Sequence, residues 1–217
     1  MDHVAFPVAL DLRGKRCVVV GGGAVGRRRA RSLADAGALV EVVDPKAADL
    51  PPGVAATAAR FAPEHLDGAF LVVVATDSPS VNDAVIRAAR ERNVLVNAAA
   101  PGTEGDAGDF SVMTTLHRGP VAVGICGAGP GVAKMVRERI DQCLEPWIAE
   151  WACLMDRARS QVQDRVADEN ARRFCLGELV ASDSIRTFVA GGQLHRAAEQ
   201  VETMVDSAAR GVLPCRT

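Results

Sequence analysis

The chain of 217 residues contains no tyrosine, and aromatic side chains make up only 4% of it. Its core must therefore be aliphatic and alanine-rich, drawn from an apolar content of 48%. An excess of charge is missing too. The formal net charge is −2, which leaves no electrostatic footprint for nucleic acid or an anionic membrane. Long hydrophobic runs are absent, and the longest fall far short of the ~20 apolar residues that span a bilayer. The opening stretch, MDHVAFPVALDLRGK, lacks the basic start and long apolar segment of a secretory leader. A cytoplasmic protein is expected. Six cysteines are present, at positions 17, 126, 143, 153, 175 and 215. They form no C-x-x-C pair and no tight Cys/His cluster, so free thiols and no structural zinc are expected. Cys17 heads an apolar run and reads as a small hydrophobe.

What is present is a glycine motif in context. Residues 17–30 read CVVVGGGAVGRRRA. A short β-branched run, Val18 to Val20, ends in G-x-G-x-x-G, with Gly21, Gly23 and Gly26 in the three slots. A buried strand that turns tightly into a helix needs the φ freedom of Gly21. At Gly23 the missing Cβ lets a pyrophosphate lie against the backbone, and at Gly26 it lets helix and sheet pack closely. The free N–H groups of the helix start then face the phosphates. The helix, RRRARSLADAG, closes at Gly37. A second apolar run, Ala38 to Val43, ends in Asp44, which lies 21 residues after Gly23. That is near the spacing of the acid that accepts from an adenosine ribose 2′-hydroxyl, and an acid there repels a 2′-phosphate. NAD is expected over NADP. Arg27 to Arg29 and Arg31 read as a solvated helix face.

Further along, Val54 to Ala59 reads as a short strand and PEHLDGA as a short helix or turn. Phe70 to Ala75 is a continuous apolar run, expected to be a strand buried on both faces. It ends in Thr76 and Asp77, small polar groups where open α/β sheets bind ligands, although turn and capping roles serve them equally well. Ser80 is the expected N-cap of the next helix. Val94 to Val96 gives another strand, ending at Asn97. A loop, AAAPGTEGDAGDF, leads to a strand-like stretch from Phe110 to Leu116. A turn is expected at His117–Pro120, a strand at Val121 to Ile125, and a helix from about Pro130 after the glycine-rich turn that begins at Cys126. From Trp147 onward the pattern is helix after helix, with Leu194, Ala198, Val201 and Val205 marking one face of the last. The expected organisation is α/β: a Rossmann-like parallel-sheet domain over residues 1–145, then a small all-helical region over 146–217. That region is expected to be too small for its own core and to pack on a second subunit.

Taken in order, these segments resemble the siroheme synthase amino-terminal module, a family of precorrin-2 dehydrogenases that often double as sirohydrochlorin ferrochelatases. The resemblance rests on FPVALDLRGKRCVVVGGGAVGRRRA, a strand ending in ATD, a helix containing VND, a strand ending in VNAA, a DF pair, the GPVAVGI strand and the GPGVAK helix start. It covers residues 4 to 145 closely. It implies that NAD⁺ takes hydride from precorrin-2 to give sirohydrochlorin, and that the protein is a homodimer whose helical region covers a tetrapyrrole site. By resemblance, Gly21, Gly23, Ala24, Val25 and Gly26 hold the pyrophosphate, Thr76 and Asp77 sit beside the cofactor, and Asn97 opens the active-site loop. One departure matters. The family usually carries an aspartate three residues after that Asn, as the acid/base; here the position is Ala100, in a loop about three residues longer. An alanine transfers no proton and ligates no metal. Asp106, with Asp109 and Glu104 behind it, is the expected replacement, and His117 is a fourth candidate that more simply reads as a surface histidine. Two other readings stand beside this one: a diverged paralogue that acts on a different substrate, and a non-catalytic NAD- or tetrapyrrole-binding protein.

Overall fold

The computed structural model describes residues 6–100, 102–103, 105, 107–127 and 129–212. Contacts divide the chain into two compact units, Met1–Val112 and Met113–Thr217.

In the first unit, the β-branched runs become five parallel strands: β1 (Arg16–Val20), β2 (Leu39–Val43), β3 (Ala55–Thr57), β4 (Leu71–Val74) and β5 (Leu95–Ala98), in the order β3-β2-β1-β4-β5. Two helices make the crossovers, α1 (Ala24–Asp35) between β1 and β2, and α2 (Pro79–Glu91) between β4 and β5. A 3₁₀ turn at Pro63–Leu66 precedes β4. The alternation of strand side chains decides what covers each face. Val18, Val20, Val72 and Val74 point toward Val85, Ile86 and Ala89 of α2. Cys17, Val19, Leu71 and Val73 point to the other face, with Ala30 of α1. Each fully buried valine of this kind contributes about 1.5–3 kcal/mol, so the central strands anchor the unit without any aromatic ring. Arg16 donates to Glu41 Oε2 (2.6 Å) and the Thr57 hydroxyl donates to Oε1 (2.6 Å), tying the adjacent strands β1, β2 and β3 together.

Helix α2 starts one residue after Ser78, not after Ser80. Pro79 takes the first helical position, where its missing N–H costs nothing, so the helix begins earlier than the serine pattern alone indicates. Arg29 is not on a fully solvated face either. It is half-buried, its Nε has no partner among the described residues, and burial, then the neighbouring Arg28, lowers its pKa.

The second unit opens with an antiparallel hairpin, β6 (Thr114–Arg118) and β7 (Val121–Ile125), followed by α3 (Gly129–Cys143). His117 and Arg118 belong to the strand, because Arg118 pairs with Val121 and the turn shrinks to Gly119 and Pro120. A two-residue hairpin loop needs a positive φ, which Gly119 supplies at +56°. Hairpin and α3 cluster with the C-terminal helices, so the units meet near residue 112, earlier than the boundary drawn at 145 from composition. Four helices follow: α4 (Ile148–Arg165), α5 (Glu169–Ala181), α6 (Asp183–Ala190) and α7 (Leu194–Ala209). They do enclose a core of their own, with Leu154, Ala158, Val162, Cys175, Leu179, Ile185, Val201 and Val205 buried. The buried stripe of α7 runs through Ala197, Val201, Val205 and Ala208, while Leu194 and Ala198 are exposed. Small alanines at 158, 197 and 208 let the helices approach closely, which is how so few large side chains fill the interior. Asp168 and Ser182 cap α5 and α6 through Ala171 N–H (2.7 Å) and Ile185 N–H (3.3 Å). Among the described residues no helix is long and apolar enough to cross a membrane.

Candidate functional site

The strand order places a switch point between β1 and β4. The chain leaves β1 toward β2 on one side, and β4 begins the run toward β5 on the other, so a crevice opens at their carboxyl ends. The glycine motif sits there. Gly21 follows β1 with φ +107°, and a Cβ on it would lie 2.4 Å from the Ala75 carbonyl oxygen at the end of β4. A Cβ on Gly26 would lie 1.8 Å from the Gly21 carbonyl oxygen. Gly23 differs: nothing stands within 4 Å of its missing Cβ. Two glycines are therefore demanded by the protein's own backbone, and the middle one leaves open space for something else.

Gly23 is also the N-cap of α1. No side chain caps that helix, and no acidic residue stands in its first turn. The amides of Ala24, Val25 and Gly26 thus begin a 12-residue helix at the positive end of its dipole, the arrangement that receives a phosphate.

Beside the loop lies a cleft of about 600 Å³, lined by Gly21, Val43, Asp44, Phe61, Thr76 and Asp77 among others. Its size falls in the range of small-molecule and cofactor sites. Asp44 is fixed in it. One carboxylate oxygen accepts from Gly22 N–H (2.7 Å) and the other from Lys46 N–H (2.7 Å). Lys46 and Arg60 line the same cleft, two cations that the acid-spacing argument did not weigh.

Thr76 turns out to be held from behind. Its hydroxyl donates to Asn82 Oδ1 (2.6 Å) and accepts from Ser78 N–H (3.2 Å), and Asn82 Nδ2 donates to the Thr76 carbonyl (3.3 Å). Asn82, 1% exposed, is not singled out as a site residue by the sequence pattern, because an Asn inside a helix looks like any polar residue; its signals are its membership of the VND segment and its place four residues into a helix that starts at a strand end. Asp77 is exposed at the cleft wall.

Asn97 is the penultimate residue of β5, 6% exposed. Its Nδ2 donates to the Phe110 carbonyl (2.8 Å), and its buried Oδ1 has no partner among the described residues. Ala100 follows, with its N–H on the Val74 carbonyl (3.1 Å). The chain then returns antiparallel along β5, Gly108 bridging to Asn97. Asp109 lies opposite Val96, and its Oδ2 accepts from Val96 N–H (3.0 Å). That carboxylate pairs an otherwise open strand edge. Glu104 and Asp106 lie outside the described residues. His117 is exposed on the β6 strand of the second unit, and Cys126 is exposed as well. Among the described residues no cluster of three His, Cys, Asp or Glu side chains could hold a metal ion.

Comparison with known proteins agrees with this geometry. Residues 8–112 match a family model described as "Putative NAD(P)-binding". The siroheme synthase of Photorhabdus laumondii is 32% identical over 214 residues, 95% of this chain and 44% of that protein. The siroheme synthase of Photobacterium profundum is 32% identical over 215 residues, 95% of this chain and 45% of that protein. That of Methylobacillus flagellatus is 36% identical over 180 residues, 77% of this chain and 37% of that protein. The chain therefore spans less than half the length of the curated relatives it matches. Among solved structures, "SirC, precorrin-2 dehydrogenase" superposes with a TM-score of 0.72 at 22% identity, over 92% of this chain and 100% of that one. It shares the fold.

Proposed function

We propose that the chain is a siroheme synthase amino-terminal module, as its 32% identity to two siroheme synthases over 95% of its length supports, and that it is a dehydrogenase that oxidises precorrin-2 to sirohydrochlorin with NAD⁺. The observation that carries the cofactor half of this reading is the contrast within the glycine motif. Gly21 and Gly26 are packed against backbone, while Gly23 stands open at the uncapped start of α1. The backbone amides of Ala24, Val25 and Gly26 receive the pyrophosphate. Asp44, already oriented by Gly22 and Lys46 amides, accepts from the ribose hydroxyls and disfavours a 2′-phosphate. Lys46 and Arg60 offset part of that repulsion, so the preference for NAD over NADP is a modest one. Thr76 and Asp77, which line the cleft, border the cofactor where β4 ends, and Asn97 in β5 opens the loop beside it.

When bound, the nicotinamide supplies the hydride acceptor. The residues of the chain must do the rest, because the substrate loses two hydrogens, one as hydride and one as a proton. Ala100 cannot take that proton. A carboxylate in the loop between β5 and Phe110 takes it instead, with Asp106 first and Asp109 and Glu104 behind; the bond from Val96 N–H already occupies Asp109. The proposal stops at dehydrogenation, since alanine supplies neither ligand nor base for Fe²⁺ insertion. A homodimer belongs to the same reading: Val180 and Leu194 of the helical unit are 47% and 45% exposed, and a sedimentation mass of one chain would remove that part.

The deciding experiment incubates the protein with NAD⁺ and precorrin-2 and follows the sirohydrochlorin absorption band. Loss of a positioned acid/base typically costs about 10²–10⁴-fold. Asp106→Asn is expected to lower turnover by that order, and Ala100→Asp to raise it. No turnover of any tetrapyrrole by the parent or by Ala100→Asp overturns the dehydrogenase reading, and leaves the paralogue or the binding protein.

A further inference from the structure

We propose that Asp83 is a positioning residue: from the start of α2 it holds the loop after β5, at Gly102 and Thr103, in register with the cofactor-side turn after β4. The proposal rests on the reading above, that this loop carries the proton acceptor.

The loop leaves β5 and comes back along it, and backbone bonds fix both ends. Ala100 N–H donates to the Val74 carbonyl (3.1 Å), Ala98 N–H to the Ala107 carbonyl (3.1 Å), and Asp109 N–H to the Val96 carbonyl (2.7 Å). Between those ends, Asp83 reaches across from α2. Its Oδ1 and Oδ2 accept from Thr103 N–H at 3.1 and 3.3 Å, and Oδ2 also accepts a short hydrogen bond from the Thr103 hydroxyl. These bonds have an ionised acceptor and are the stronger class. The neighbouring glycine sits against the same carboxylate. A Cβ on Gly102 would lie 1.9 Å from Asp83 Oδ1 and 2.9 Å from Cγ. The backbone is seated so closely on the carboxylate that a side chain at position 102 would push Asp83 aside.

The preceding helical residue does the corresponding job on the other loop. Asn82 grips both the hydroxyl and the carbonyl of Thr76, which lines the cleft. Consecutive residues of a helix point in different directions, so α2 presents Asn82 to the end of β4 and Asp83 to the loop beyond β5. One rigid helix thus references the cofactor wall and the candidate proton-accepting loop to each other. Small misplacements matter at such a joint, because a shift of about 1 Å in a reacting group can cost about a hundredfold in rate.

The test uses the full chain and three variants, Asp83→Asn, Thr103→Val and Thr103→Ser. Amide exchange over residues 99–109 reports the tether without any need for activity. It is expected to quicken about tenfold or more in Asp83→Asn and Thr103→Val, and to return to the parent rate in Thr103→Ser, which keeps the hydroxyl. With precorrin-2, kcat is expected to fall about tenfold to a hundredfold in the first two variants while NAD⁺ affinity and the thermal midpoint stay near parent values. Unchanged exchange in Asp83→Asn overturns the tether. Parallel loss of NAD⁺ affinity, stability and kcat overturns the positioning role in favour of a merely structural one. If no variant and no parent turns over a tetrapyrrole, the dehydrogenase reading fails separately, and the exchange result alone decides for or against the tether.

Discussion

Adding one methyl group at Gly23 and at Gly26 should separate what the fold requires from what a ligand requires. At Gly26 the new Cβ would lie 1.8 Å from the Gly21 carbonyl oxygen, where ordinary contact begins near 3.4 Å. The obstacle is backbone, not the end of a mobile side chain, so α1 must withdraw from β1. Val19 Cγ1, at 3.5 Å from the same point, lies under that helix and would lose packing as it moves. Overpacking of this severity costs about 3 kcal/mol or more, and for a chain of this length that is a drop of about 6–12 °C in Tm. At Gly23 there is no neighbour within 4 Å. The loss there is only that of an N-cap glycine exchanged for alanine, about 0.5–1 kcal/mol, or roughly 1–4 °C. The order should reverse in its cause for NAD⁺. Gly23→Ala places a methyl group where the pyrophosphate would lie and should weaken binding by at least about tenfold in a protein that still melts almost normally. Differential scanning fluorimetry and isothermal titration of the two variants read both quantities. A Gly23→Ala protein with parent affinity for NAD⁺, or a Gly26→Ala protein with the parent Tm, would refute the reasoning.

For cofactor choice, Asp44→Ala should weaken NAD⁺ binding and bring NADP⁺ level with it or ahead, whereas replacing Lys46 and Arg60 by alanine should widen the gap in favour of NAD⁺; equal affinity of the parent for both would sink the role of Asp44. Burial pushes the Cys17 thiol up to about 11 and raises that of Cys175, so iodoacetamide at pH 8 should label the exposed Cys126, Cys143 and Cys153 and spare those two until the protein unfolds, as peptide mass spectrometry can check. The Thr57 hydroxyl, then the Arg16 guanidinium, hold the Glu41 carboxyl below its ordinary value. Its stabilising contribution is present above the ordinary value and is lost as pH falls through the lowered one; Glu41→Gln should therefore lower Tm at neutral pH and flatten the acid limb of the Tm–pH curve, and an unchanged acid limb would count against this.

Local pattern was enough for most of the first unit. A run such as LVVV buried on both faces, a glycine at each place where backbone meets backbone, and an acid at the end of the second strand are all constraints acting within a few residues of one another. They identify a parallel-sheet, dinucleotide-binding half without reference to anything distant. The helical character of the last seventy residues was legible for the same reason, since spacing alone carries it. What spacing could not carry was choice among neighbours. The helix α7 has two adjacent apolar stripes that share Val201 and Val205, and only the packing of the neighbouring helices selects the flank with Ala197 and Ala208 over the one with Leu194 and Ala198. The same holds for the division of the chain. The β-rich pattern of residues 113–125 looks like a continuation of the sheet, yet β6 and β7 pair with each other in a separate two-stranded sheet. In the candidate site, the difference is sharpest at Thr76, Asn82, Asp83 and Asp109. Each is a small polar residue of ordinary appearance, and each acquires its role from a partner between 6 and 20 positions away, a distance over which composition and periodicity are silent and only the folded chain decides.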